Sequence, residues 1–290
     1  MTTMTGESDV PRDSPFAGAP PDRLAELLAQ KRTLVMGVLN VTPDSFSDGG
    51  QFLDPHAALQ QARNMIEEGA DIIDIGGEST RPYEGAKPVS IEEELRRLEP
   101  VLPLVVKLGT PVSIDSMKPE VALWALSEGA AIVNDVWGLQ RDANMARVVA
   151  DHGVPVVIMH NRYKAEAGIN IFSDINAFFA HSLEIASKAG IAWEKIVLDP
   201  GIGFGKTPEQ SISVIARLET FKRFGRPLMI GVSRKRFIDH ISPSGPTERI
   251  GGSLAAHLQA VFNGAAIIRT HDVAETVQAI KVAQAIRSAK

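Results

Sequence analysis

From Thr33 onward the chain alternates short, continuous apolar runs with longer amphipathic segments. The short runs cover 33–39, 71–75, 111–114, 130–133, 154–159, 195–198, 227–232 and 265–268. They are rich in Val and Ile and do not alternate with polar residues, the pattern of strands buried on both faces. Helical patterns lie between them, at 55–68, 91–107, 119–128, 141–152, 174–190, 208–224, 247–263 and 272–288. The last is representative: Val273, Val277, Ile280 and Ala283 recur at three- and four-residue steps behind Asp272, which can cap the helix. Ahead of the series, 23–30 places Leu24, Leu27 and Leu28 on one helical face, and residues 1–21 are rich in Pro, Gly, Ser and Thr without a hydrophobic period.

Eight strands alternating with eight helices predict an α/β fold, a closed (β/α)8 TIM barrel, over 22–290, with 1–21 as a disordered tail. A doubly wound open sheet is the competing arrangement. It would leave edge strands, and none of the eight runs is charged or interrupted as an edge would be. No linker divides the series, so a single domain is expected.

Composition narrows the class. In 290 residues, 44% hydrophobic, the chain is too apolar to be disordered as a whole. A formal charge of −5 argues against a nucleic acid held by bulk charge. With no cysteine, disulfides, thiolate nucleophiles and Cys-ligated metals are excluded. Residues 1–22 contain no apolar signal segment, and runs such as 154–159 fall far short of the roughly 18 residues a membrane span needs. A soluble, cytoplasmic protein with no membrane partner is expected.

In a barrel the chemistry gathers where strands end and βα loops begin. In chain order those positions hold Asn40, Asp74, Asp115, Asn134-Asp135, Met159-His160, Asp199, Ser233-Arg234-Lys235 and Arg269-Thr270-His271. Helix capping accounts for Asp135 and Asp272. It does not account for carboxylates at three strand ends together with Arg and Lys at others, because converging buried charges are costly unless a ligand or counter-charge uses them. Carboxylates and an amide suit the N–H donors of a polar heterocycle, and Arg, Lys and His suit phosphate or carboxylate oxygens. A substrate with a heterocycle at one end and a phosphate at the other meets both requirements.

Two motifs carry less. Residues 200–207 (PGIGFGKT) have Pro200 where a Walker A loop has its first Gly, and a fixed φ without an N–H spoils the phosphate cradle. The glycines there allow a ligand to approach the backbone, with Phe204 as an apolar wall. Neither HExxH nor HxH occurs. His56, His152, His181 and His240 read as surface or packing residues, and His257 lies within a helix without a clear part.

Taken together, the strand-end segments closely resemble the dihydropteroate synthase family, from about Thr33 to the C-terminus. The resemblance is carried by 40–49 (NVTPDSFSDG), 74–82 (DIGGESTRP), 199–206 (DPGIGFGK), 233–235 (SRK) and 269–272 (RTHD). It implies condensation of 6-hydroxymethyl-7,8-dihydropterin diphosphate with para-aminobenzoate to 7,8-dihydropteroate and pyrophosphate. It also implies Mg²⁺ carried in with the diphosphate, a homodimer, and competition by sulfonamides.

By the same resemblance, Asp199 and Asn134 would bind the amino-pyrimidine edge, Asp115 a ring nitrogen, and Lys235 the carbonyl side. Asp74 lines that end and, with Asp115, would stabilise positive charge on the pterin. Asn40 would meet Mg²⁺, while Arg269, His271 and Thr80 would hold the diphosphate. Aminobenzoate would lie against Phe204 and Pro82, near Arg81, Phe46 and Ser233. The loops after the first two strands, with Asp48 in the first, would close over the site. Asp115, Lys235, Arg269 and His271 form the implied catalytic set of an SN1-like path. Met117, Thr270 and Gln210 depart from the family's usual residues, and 161–173 align poorly. A methyltransferase of the pterin-binding superfamily would have no use for the 233–235 and 269–271 cations, and a non-catalytic relative should have lost Asp48, Thr80 and Arg81.

Overall fold

The computed structural model describes residues 22–42, 54–78 and 89–289. Its strands are β1 (Leu34–Asn40), β2 (Ile72–Gly76), β3 (Val112–Asp115), β4 (Ile132–Asp135), β5 (Val156–Met159), β6 (Ile196–Asp199), β7 (Met229–Gly231) and β8 (Ile267–Thr270). All pair in parallel in the order β6-β5-β4-β3-β2-β1-β8-β7. A bridge between Leu198 and Leu228, with the Leu198 N–H donating to the Pro227 carbonyl at 3.0 Å, joins β6 to the entry of β7 and closes the barrel. The expected (β/α)8 architecture is therefore the observed one.

The outer ring consists of α2 (Pro55–Glu67), α3 (Ile91–Leu98), α4 (Leu102–Val106), α5 (Pro119–Ser127), α6 (Ala143–His152), α7 (Ile171–Ala189), α8 (Pro208–Ala216), α9 (Arg236–Ile241), α10 (Ile250–Phe262) and α11 (Val273–Ser288), with α1 (Arg23–Ala29) apart from it. The helix expected over 91–107 is two helices. Pro100 lacks an N–H and its ring opposes continuation, so α3 stops and α4 restarts. The pattern over 208–224 gives α8 and then a 3-10 stretch, Leu218–Phe224. The short α9 was not apparent as a period in the sequence. Helix α11 begins as expected, but Asp272 makes no side-chain cap to it; its carboxylate is taken by Arg234.

Most strands run one or two residues beyond their apolar run, so Asn40, Asp115, Asn134, Asp199 and Arg269 lie within the ladder rather than in the loops. That displacement positions the site. The inner floor of the barrel is packed by Leu34, Met36, Ile72, Ile132, Val157, Val197, Met229 and Ile267, and Leu24 of α1 plugs it from below. Side chains two residues further along a strand face the same way. One pleat above Ile72 stands Asp74, above Ile132 Asn134, above Val197 Asp199 and above Ile267 Arg269. On these four strands the inner wall thus turns from apolar to polar in a single step, while Val38 and Met159 keep it apolar above Met36 and Val157. A larger core between the strands and the outer helices carries most of the remaining burial.

Leu24 is 3% exposed, and its truncation opens a cavity in the floor. We expect Leu24→Ala to lower unfolding free energy by about 2–5 kcal/mol in urea titrations. An unchanged midpoint would mean that the strands seal the floor without α1.

Candidate functional site

The polar layer centres on Arg269. Its Nε donates to Asp74 Oδ2 at 2.6 Å and its Nη2 to Asp115 Oδ2 at 2.7 Å. Asn134 Nδ2 also donates to Asp74 Oδ2, at 3.1 Å. Asp74, Asp115 and Asn134 are buried, so one guanidinium is the main compensation for two enclosed carboxylates. Gly76 makes room for this arrangement: a Cβ there would lie 3.3 Å from that of Asp115.

The compensation is incomplete in a directed way. Asp74 Oδ1, Asp115 Oδ1 and Asn134 Oδ1 are buried and accept no hydrogen bond. Three neighbouring acceptors without donors call for a ligand that brings N–H groups. Burial drives the Asp115 carboxyl up to about 7, against the opposing pull of Arg269 and with the help of the Asp74 charge. Burial works against the Arg269 charge too, but Asp74 and Asp115 outweigh it and hold that pKa above the ordinary arginine value.

Asp199 is enclosed beside them. Burial raises its carboxyl, countered chiefly by Lys235 and by the Gly201 N–H, which donates to Oδ1 at 2.7 Å. Lys235 Nζ donates to the Ile202 carbonyl and sits 4.6 Å from the centre of the Phe204 ring. On the next loop His271 meets Ser233: the His271 N–H donates to Ser233 Oγ at 3.3 Å, and Nδ1 lies 3.1 Å from the same oxygen. Asn40 ends β1 opposite Gly76. The structure thus brings Asp74, Asp115, Asn134, Asp199, Lys235 and Arg269 to one mouth, with Phe204, Ser233 and His271 on the adjoining loops. Phe46, Asp48, Thr80, Arg81 and Pro82 lie outside the described residues. Among the described residues no cluster of three His, Cys, Asp or Glu side chains could hold a metal ion.

Two supporting groups were not evident from sequence. Arg234 adopts a left-handed backbone, φ 58°, between Ser233 and Lys235. Such a conformation persists only when its surroundings hold it. Here the Arg234 N–H donates to Ser253 Oγ at 2.9 Å, its carbonyl accepts from Arg249, and its guanidinium grips Asp272, tying the β7 loop to the β8 loop. The second is Lys206 with His160. Lys206 Nζ lies 2.7 Å from His160 Nδ1, and His160 Nε2 lies 2.9 Å from Asp174 Oδ2. Burial, then the Lys206 charge, pushes the His160 imidazole down to about 3, and burial lowers the Lys206 ammonium, partly offset by Asp199. Asp135 does not cap the next helix as expected, because α6 begins at Ala143 and Asp142 caps it. The Asp135 oxygens accept from the N–H groups of Trp137 and Leu139 and shape the turn after β4.

A family model described as "Pterin binding enzyme" matches residues 36–271. The dihydropteroate synthase of Bacillus subtilis is 45% identical over 258 residues, covering 89% of this chain and 90% of the relative. A dihydropteroate synthase from Clostridium difficile, solved in the presence of pteroic acid, superposes with a TM-score of 0.84 at 47% identity, over 88% of this chain and 97% of that one. One from Xanthomonas albilineans, solved with 4-aminobenzoic acid, gives a TM-score of 0.84 at 43% identity, over 89% and 94%.

The Asp115 environment makes a test in stability. Its pKa rises from an ordinary 3.8 to about 7 on folding, so between those values the fold binds a proton that the unfolded chain releases. The stabilisation from that proton is full at low pH and is lost as pH rises through about 7. Asn cannot ionise. The melting temperature of Asp115→Asn minus that of the wild type should therefore grow between about pH 5 and about pH 8 by scanning calorimetry. A difference that stays flat or shrinks would refute the assigned burial cost.

Proposed function

The chain belongs to the pterin-binding enzyme family, and from that premise we propose that its barrel mouth binds 6-hydroxymethyl-7,8-dihydropterin diphosphate and para-aminobenzoate and joins them. It acts as a dihydropteroate synthase, a transferase of folate biosynthesis and a sulfonamide target. The observation that carries the site assignment is the trio of unpartnered acceptors on Asp74, Asp115 and Asn134. An amino-pyrimidine edge supplies N–H donors in one plane, which those oxygens and Asp199 accept. Lys235 faces the carbonyl side of the ring. Arg269 stays anchored on its two carboxylates while the rest of its fork, with His271, faces the diphosphate, which Thr80 would also help to hold.

Reaction starts with the leaving group. The bond between the pterin methylene and the bridging oxygen breaks, and its electron pair departs with pyrophosphate. Arg269 and His271 neutralise the developing charge. Asn40 would offer its neutral amide oxygen to a Mg²⁺ brought in with the diphosphate, and that ion would add to the neutralisation. Asp74 and Asp115 hold negative charge beside the cation left on the pterin. The amine of aminobenzoate, lying against Phe204 with its carboxylate towards Ser233, then forms the new C–N bond and gives up a proton. No protein nucleophile is required, so the path is SN1-like. The loops bearing Phe46, Asp48, Arg81 and Pro82 would exclude the water that would otherwise trap the cation.

A homodimer belongs to the same proposal. Phe262 on α10 and Val282 and Ile286 on α11 are 43%, 54% and 66% exposed, and the Arg287 guanidinium lies 4.9 Å from the Phe262 ring. A second copy against these two helices would cover such apolar side chains. Residues 1–21 take no part in this chemistry.

The test is a coupling assay with labelled aminobenzoate, dihydropterin diphosphate and Mg²⁺. Labelled dihydropteroate is expected from the full chain and equally from a chain of residues 22–290. Failure of the full chain to form it would refute the proposed reaction, and loss of turnover on truncation would give the first 21 residues a part. Lys235→Ala should lower kcat/KM for the pterin substrate by at least about tenfold, the loss of a charged hydrogen bond worth roughly 1.5–3 kcal/mol. Wild-type kinetics in that variant would remove Lys235 from the site.

A further inference from the structure

Lys206 takes no part in the chemistry above, yet it is only 7% exposed and stands beside the site. An ammonium carries three N–H donors. All three are used within the protein: His160 Nδ1 at 2.7 Å, the Gly201 carbonyl at 2.8 Å and the Phe204 carbonyl at 3.1 Å. Nothing of the group is left over for a substrate, so Lys206 acts through what it holds.

What it holds is the span from Gly201 to Phe204. The loop is wedged against the exit of β5. A Cβ on Gly201 would lie 1.9 Å from the His160 carbonyl oxygen, and one on Gly205 2.3 Å from Arg162 Cβ. The seat beneath Lys206 is itself fixed. With Nδ1 accepting from the ammonium, His160 carries its proton on Nε2 and donates it to Asp174 Oδ2 at 2.9 Å. Asp174 Oδ1 accepts from Arg162 Nη1 at 2.6 Å, and the His160 ring meets Phe178 edge-on at 4.8 Å. A line of side chains from Arg162 through Asp174 and His160 thus ends on Lys206 and, through it, on the backbone of Phe204.

We propose that Lys206, seated on neutral His160, is a positioning residue for the second substrate: it fixes the Phe204 wall against which the aminobenzoate ring lies. This rests on the dihydropteroate synthase reading of the mouth. The pterin end of the same loop has two further ties that do not pass through Lys206: the Gly201 N–H on Asp199 Oδ1 at 2.7 Å and the His160 N–H on the Asp199 carbonyl at 2.9 Å. Gly201 keeps those two ties when Lys206 is lost, whereas the Phe204 carbonyl loses its Lys206 donor, so aminobenzoate is weakened more than the pterin.

The experiment is steady-state coupling kinetics on the full-length enzyme, with each substrate varied in turn. Lys206→Met should raise KM for aminobenzoate about tenfold or more and leave KM for the pterin diphosphate within about twofold. His160→Phe keeps the ring contact with Phe178 but removes the acceptor, and should shift the same KM in the same direction. His160→Asn restores an acceptor oxygen near the Nδ1 position and should recover most of that loss. If Lys206→Met cannot be isolated folded, the two His160 variants decide. Both KM values rising together, kcat falling with both KM values unmoved, wild-type constants in Lys206→Met, or His160→Asn as impaired as His160→Phe would each overturn the assignment. A wild-type enzyme that forms no dihydropteroate would instead sink the underlying reaction, so the two failures are distinct.

Discussion

One guanidinium between two enclosed carboxylates is the constraint on which the mouth depends. Asp74 and Asp115 are enclosed against one guanidinium, and Arg269 is in turn held in the barrel by both of them. The pairing leaves one oxygen of each carboxylate unspent, together with the amide oxygen of Asn134. The network is therefore both a structural necessity and an invitation. It holds its members in place when the site is empty and presents acceptors to a ring that carries donors. Replacing it with apolar side chains would give a better-packed barrel and no site.

Around that centre the loops are joined in pairs. The Arg234–Asp272 fork links the loop bearing Ser233 and Lys235 to the loop bearing His271. Lys206 links the end of β5 to the loop bearing Phe204. Arg97 donates to the Gly77 carbonyl, and Lys118 pairs with both Glu78 and Glu94, bracing the exit of β2 against α3 and the loop after β3. Each tie joins neighbouring strand exits, so groups from distant parts of the chain hold a common geometry even though they stand at loop bases.

The barrel was legible in the sequence because a strand buried on both faces leaves an unbroken Val and Ile run, and eight such runs appear. The site's charged members were legible for the complementary reason. Asp74 lies within an apolar run and Asp115, Asp199 and Arg269 directly follow one, where the surrounding strands enclose them, and all four are drawn into the barrel mouth. The strand limits were less legible, since a polar residue reads as the start of a loop whether or not its backbone still belongs to the ladder. Pairings between remote residues were not legible. Asp272 reads as a cap from its neighbours in sequence, and only the fold shows that Arg234 claims it. Lys206 sits in a motif that invites comparison with a nucleotide loop, while its partners are two backbone carbonyls and a histidine 46 residues away.

The plug formed by α1 has a consequence for how this enzyme can be attached to other things. The described chain enters at the floor, beneath the apolar layer, while α11 starts at the rim and runs its 16 residues, about 24 Å, away from it. A tether on Asp22 would therefore pull from the side opposite the opening. A resin, a surface or a companion domain joined there would leave the approach of both reactants clear.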